Sequence, residues 1–172
     1  MSILKVSRLG HPVLRERAKP VSPETLSTSR IQTLIDDMIE TMVEYTGVGL
    51  AAPQVHESLQ IAVIESTSPR GEIPLTVLVN PSITVLDEAL IEDWEGCLSI
   101  PDMRGRVPRH TNLRLDFLDR TGKPQQIVAD GFFARVVQHE FDHLMGHVYI
   151  DKMRDLRTLA HFAEFQKYGL AP

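Results

Sequence analysis

Gln138-His139-Glu140-Phe141-Asp142-His143 is the stretch in which residue types and spacing could do chemistry. Two histidines four apart on a helix stand one above the other, so both imidazoles can grip one ion. Glu140 follows His139 by about 100° of helix rotation. From there its carboxylate reaches a water on that ion without taking a ligand position, which is the geometry of a general base. At about 100° per step, Phe132, Phe133, Val136, Val137, Phe141 and Leu144 fill one arc, while Ala134, Arg135, Gln138, Asp142 and Met145 gather opposite. Glu140 falls inside the apolar arc and both histidines near its edge. An unpaired buried carboxylate is costly, and a metal with its water would supply the missing partners. Two core histidines bonded to backbone are the plainer alternative, but they leave Glu140 unexplained.

A catalytic metal site usually takes three protein ligands and keeps one position open. The remaining candidates are Cys97, His147 and the scattered acids. His147 is weakened by Gly146, which should end the helix before it. Cys97 lies in Trp94-Glu95-Gly96-Cys97-Leu98-Ser99-Ile100-Pro101, a turn-like segment with a glycine beside the sulfur. A lone cysteine is more often a small buried apolar residue, so these residues alone leave the third ligand open.

The elements that must position these groups follow from periodicity. Residues before Ser29 mix Pro12, Pro20 and Pro23 with basic side chains and read as an extended surface arm, with His11 as a turn residue. Ile31, Leu34, Ile35, Met38, Ile39 and Met42 keep the helical period and predict a core helix from Ser29 to about Thr46, with Gly47 at its C-cap. Gly47-Val48-Gly49-Leu50-Ala51-Ala52-Pro53-Gln54 is a run of small residues where another backbone could approach, and it lacks the pattern of a phosphate loop. Strands are expected over Leu59–Glu65, Leu75–Asn80, Ile83–Leu86, Ala89–Ile91, Asn112–Asp119 and Gln125–Ala129, with antiparallel turn signals between them. Asp130-Gly131 opens the histidine helix, and Asp155–Gln166 reads as a closing helix. The class is α+β: antiparallel strands packed around a central metal-binding helix, with an N-terminal and a C-terminal helix, in a single domain over residues 1–172.

A net charge of −5 over 172 residues argues against direct DNA binding, which needs a basic footprint. With no long apolar run and no leader-like start, the expectation is a cytoplasmic protein with no membrane segment. A single cysteine excludes an intrachain disulfide.

Three segments together resemble the peptide deformylases: Gly47 to Gln54, Glu95-Gly96-Cys97-Leu98-Ser99, and Gln138 to His143 match that family's three motifs in order and spacing. The resemblance implies removal of the formyl group from N-formyl-methionyl nascent peptides, which emerge near the ribosomal exit tunnel. It raises Cys97 to the third ligand beside His139 and His143, around one divalent metal. That metal is natively iron(II) in many members, with zinc, nickel or cobalt able to replace it. It also implies Glu140 as proton carrier, the Gln54 amide and the Leu98 backbone N–H as donors to the oxyanion, and β-like pairing of the peptide with Gly47, Val48 and Gly49. Arg135 departs from the family, many of whose members carry an apolar residue there, and its head is expected in solvent. Lys152, Arg154, Arg157 and Lys167 stand against Asp151, Asp155 and Glu164, a near balance that lends ribosome docking little support.

Two rivals are weighed against this. A zinc endopeptidase shares the histidine motif but usually recruits a downstream ligand, whereas Cys97 lies upstream. An inactive peptide-binding relative should have lost Glu140, Gln54 or Cys97, and all three are present.

Overall fold

The computed structural model describes residues 2–168. Strands β1 (Gly49–Ala51), β2 (Ile61–Ser68), β3 (Gly71–Cys97), β4 (Ile100–Leu118) and β5 (Pro124–Asp130) pair antiparallel in that order, and β6 (Ala160–His161) pairs with β4. Helices α1 (Pro23–Leu26), α2 (Ser29–Glu44), α3 (Gly131–Leu144) and α4 (Phe162–Tyr168) accompany them. The result is the expected mixture of helix and antiparallel sheet.

The first two strands are buried on both faces, and alternation of their side chains feeds two separate clusters. On β2, Ala62 and Ile64 join a cluster with Val136, Val137 and Leu144 of α3, while Ile61 and Val63 join one with Ile31, Ile35 and Met38 of α2. This end of the sheet therefore lies between α3 and α2. Burying each of the larger side chains among these contributes roughly 1.5–3 kcal/mol.

Several expected boundaries shift. The N-terminal arm contains a 3-10 turn at Pro12–Arg15 and the α1 turn, where Pro23 takes the first helical position and the Ser22 hydroxyl accepts from Thr25 N–H. Helix α2 ends at Glu44, and Thr46 rather than Gly47 takes the left-handed conformation. The pieces expected between Leu75 and Ile91 are one long strand, β3, interrupted only by register shifts. Pro81 sits within the first of these shifts, where a missing ladder donor is tolerated. The first half of β4 was hidden by Pro101, Gly105 and Pro108, which break any alternation.

The expected closing helix over Asp155–Gln166 is replaced by a 3-10 turn (Leu156–Thr158), β6 and the short α4. Asp155 caps the turn by accepting from Arg157 N–H, and Leu156 remains 67% exposed while Leu159 packs against the buried cluster of Ile100, Val107 and Tyr149, so the apolar period is not buried as one helical face.

Candidate active site

Cys97 ends β3 and Ile100 begins β4, so Leu98 and Ser99 form the two-residue connection of a tight hairpin. This is the turn-like segment seen in the sequence. Packing of α3 against the sheet brings His139 and His143 to it. Among the described residues, Cys97, His139 and His143 each offer one ligand atom, all within 4.8 Å of one another. Cys97 Sγ is 3.2 Å from His143 Nε2, and the two imidazole centroids are 5.1 Å apart, as the four-residue spacing requires. His147 is exposed and outside this group.

The small-residue segment meets the same place. A Cβ on Gly49 would lie 2.3 Å from Glu140 Oε1, so only glycine leaves room for that carboxylate. At Gly47 a Cβ would approach Leu98 Cδ1 to 3.1 Å. Gln54 Oε1 accepts from Ala51 N–H at 2.8 Å, which turns the amide NH2 toward Cys97 Sγ (3.5 Å) and Ser99 Oγ (3.3 Å). Gly47, Val48, Gly49, Gln54, Leu98 and Glu140 border one cavity of about 570 Å³ that also reaches Cys97 and His139. The volume suits a short peptide segment.

The electrostatics fit a cation. Burial pushes the Cys97 thiol up, but His143 and His139 outweigh it and hold the group well below its ordinary value. Burial pushes His139 down, yet the Cys97 sulfur and the Glu95 carboxylate hold it well above its ordinary value. The pocket therefore stabilises a thiolate only alongside compensating positive charge, the condition under which a metal ion replaces protons. Glu95 accepts at Oε2 from His139 Nδ1 at 2.9 Å, leaving Nε2 as that ring's donor atom. Glu140 is 3% exposed, its Oε2 has no hydrogen-bond partner among the described residues, and burial pushes its carboxyl above the ordinary range. His143 Nδ1 is likewise buried without a partner there. A buried thiolate and two imidazoles fit a divalent first-row ion, and the open carboxylate oxygen fits an attacking water.

The other side of α3 departs from the helical-wheel expectation. Ala134, Arg135, Gln138 and Asp142 are buried, whereas Phe132, Phe133 and Phe141 are only half-buried. Arg135 does not reach solvent. At 6% exposure its guanidinium donates to Glu95 Oε1 (2.8 Å), Val107 C=O (2.8 Å) and Ile91 C=O (2.6 Å). Arg109 forms a bidentate pair with Glu95 at 2.9 and 3.0 Å and reaches Asp142 Oδ2 at 2.6 Å. Gln138 links α3 to both backbone groups of His110. Two guanidinium groups thus face two carboxylates, with His139 on Glu95 and Lys152 Nζ 3.7 Å from Asp142 Oδ1 as further partners. Glu95 was visible in its motif but carried no assigned task, and Arg109 was not singled out. A glutamate beside an apolar strand end was the available signal, because such a group needs a partner.

A buried thiol, two imidazoles and an acid-base carboxylate on the wall of a peptide-sized cleft define the class: a metal-dependent amide hydrolase. The model of the polypeptide deformylase family matches residues 3–158. Peptide deformylase 1 of Nitrosomonas europaea is 44% identical over 164 residues, covering 92% of each chain. Peptide deformylase 2 of Pseudomonas syringae is 43% identical, covering 97% of this chain and 91% of its own. Among solved structures, the Met-Ala-Ser-bound class I type b peptide deformylase of Acinetobacter baumannii superposes with a TM-score of 0.84 at 37% identity, covering 88% of this chain and 98% of its own. The actinonin complex of the Synechococcus elongatus enzyme gives 0.82 at 37% identity, covering 98% of this chain and 87% of its own. The chain belongs to the polypeptide deformylase family. It is a hydrolase that removes the formyl group from the N-terminal formyl-methionine of new polypeptides and releases formate. No helix among the described residues is long and apolar enough to cross a membrane.

Proposed function

We propose that Cys97 at the end of β3, with His139 and His143 of α3, holds one divalent ion, and that α3 thereby serves as the metal-binding helix at the centre of one catalytic domain spanning residues 1–172. Iron(II) is the native ion in this reading, with zinc, nickel or cobalt as replacements in purified protein. Bound there, the ion would polarise the formyl carbonyl and make a coordinated water more acidic. Glu140 takes the proton from the attacking water and later delivers it to the leaving amine. The Gln54 NH2 and the Leu98 backbone N–H donate to the carbonyl oxygen as it gains charge, a task for which fixed donors cost no reorganisation. Glu95 holds His139 in the tautomer that presents Nε2.

The peptide lies extended along Gly47, Val48 and Gly49, on the outer side of β1, the first strand of the sheet path. Gly47 N–H and Val48 C=O are engaged by Met42 and Glu65, and Gly47 C=O and Val48 N–H, which have no backbone partner among the described residues, would serve the substrate. Substrate would be met in the cytoplasm, as nascent chains leave the ribosomal exit tunnel.

The observation that carries this reading is Glu140: a buried carboxylate with an open oxygen, seated against Gly49 and beside the three candidate ligands. Formate release from a formyl-methionyl peptide by anaerobically iron-loaded protein tests it, with the acetylated peptide as control. Rapid release from the formyl peptide alone, abolished by a chelator, is the expected result. Internal cleavage of the acetylated peptide would instead indicate an endopeptidase, and no release with iron, nickel or zinc would overturn the reading.

A further inference from the structure

The family match ends at residue 158, yet the chain beyond it returns to the cleft. Ala160 and His161 pair with Arg104 and Met103 of β4, and this anchor delivers α4. Phe162 and Phe165 of α4 stack with centroids 6.2 Å apart, and Phe165 meets Trp94 at 4.7 Å. The Arg104 guanidinium sits 4.5 Å over the Phe162 ring. Gly96 makes this approach possible, since a Cβ there would fall 2.2 Å from Arg104 Nη1. Trp94, Gly96, Arg104 and Phe165 border the same cavity as Cys97 and Glu140.

Two features separate this arrangement from ordinary packing. Phe162, Phe165 and Trp94 belong to none of the three buried hydrophobic clusters, so the two half-buried apolar side chains of α4 lie outside the core, with Phe165 on the cleft wall and Phe162 stacked behind it. Its remaining described side chains are exposed. Trp94 also precedes Cys97 by three residues on β3, roughly 10 Å at ~3.3 Å per residue. At ~3.8 Å between successive Cα atoms, that distance matches the span from a formyl carbon to the third residue of an extended peptide, and it lies within reach of a large side chain on the second.

We propose that residues 160–168 form a wall of the substrate cleft in which Phe165, with Trp94, selects a large apolar or aromatic side chain at the second or third residue of the formyl peptide. This rests on the deformylase reading above. Aromatic faces left half open beside an extended backbone path gain most from another flat or bulky apolar group. Phe165 thus sets specificity, and the chemistry at Glu140 proceeds independently of it.

The test compares metal-loaded wild type and Phe165→Ala on formyl-Met-Phe-Ala, formyl-Met-Ala-Phe and formyl-Met-Ala-Ala. Wild type should prefer at least one phenylalanine peptide. The substitution should raise KM for that peptide about 3- to 10-fold, with kcat and the all-alanine peptide unchanged. Equal effects on all three peptides would make Phe165 a structural residue and overturn the proposal, as would no effect on any. Trp94 is the sole tryptophan, so its emission reports the wall without turnover. Titration with unformylated Met-Phe-Ala and Met-Ala-Phe should give a saturable change that Phe165→Ala weakens. If no formyl peptide is cleaved, the deformylase reading fails while this signal still decides the wall; an unchanged titration then overturns it.

Discussion

Glu95 and Glu140 are buried almost equally, 6% and 3% exposed, and both interact with His139. Their surroundings differ. Glu95 accepts from Arg109 twice, from Arg135 and from His139, and although burial pushes its carboxyl up, these partners hold it well below the ordinary range. Glu140 keeps one oxygen without a partner among the described residues, and burial pushes its carboxyl up against the partial relief of His139 and His143. Partners, and not burial, separate a carboxylate that holds structure from one free to carry protons.

The comparison breaks most sharply at its working member. Glu140→Ala should lower kcat about 10²–10⁴-fold while leaving the metal stoichiometry at one, measured by formate release and elemental analysis of the same preparation. Full activity in that variant would remove Glu140 from the mechanism. Glu95→Gln attacks the structural member instead. It leaves two buried guanidinium groups short of an anion, a change that typically costs about 3–5 kcal/mol. For a chain of this size the melting midpoint should fall by about 6–20 °C. Because His139 loses its orienting acceptor, metal affinity should also drop about 10- to 100-fold, read by competition with a chromophoric chelator. Normal stability together with normal affinity would show that the network is dispensable.

Gly49→Ala sharpens the comparison at one atom. The new methyl would stand 2.3 Å from Glu140 Oε1 and 2.6 Å from its Cδ, so the carboxylate must move. A displacement of about 1 Å at a reacting group can cost up to ~10² in rate, so a loss of about 10- to 100-fold in kcat is expected, with metal content intact. An unchanged kcat would mean that the position of Glu140 is less constrained than the glycine contact indicates.

How legible these features were in the sequence depended on how local they are. Glu140, His139 and His143 are read from spacing on one helix, because each is positioned by its immediate neighbours, whereas Cys97, on a short turn far away in the chain, is singled out only by the resemblance of three motifs together. Glu95 and Arg109 lie fourteen residues apart and meet through the β3–β4 register, which pairs Glu95 with Gly105 and Ile91 with Arg109. That register contains bulges no periodicity predicts. Arg135 read as a surface residue because a charge on a helix usually faces water; its partners Val107 C=O, Ile91 C=O and Glu95 come together only once the hairpin has formed. The closing segment failed for the opposite reason. Leu156, Leu159, Ala160 and Ala163 keep a helical period, but β4 offers a backbone edge at Met103 and Arg104 that takes residues 160 and 161 as a strand.

The smallest effect is also the one that sets the two glutamates apart by sign. In chelated protein, Glu95 titrates below its ordinary value near 4.5, so its contribution is fully present above that value and is lost as pH falls below it. Glu140 titrates above 4.5, so the folded state holds its proton more tightly than the unfolded chain does. Stability therefore declines as pH rises from 4.5 through the raised folded value, and above it the protein carries the full cost of a buried, under-partnered carboxylate. Glutamine at position 140 has no proton to lose, so Glu140→Gln should unfold at higher urea than wild type at neutral pH, and the gap should close on acidification. Glu95→Gln should show the reverse, less stable than wild type at neutral pH and converging toward it in acid. Urea midpoints of the three chelated proteins across that range make the measurement. If both variants shift the midpoint in the same direction at neutral pH, the opposed roles of the two carboxylates are wrong. An enzyme that gains stability by losing its proton carrier would show that Glu140 is retained for chemistry at a cost to the fold.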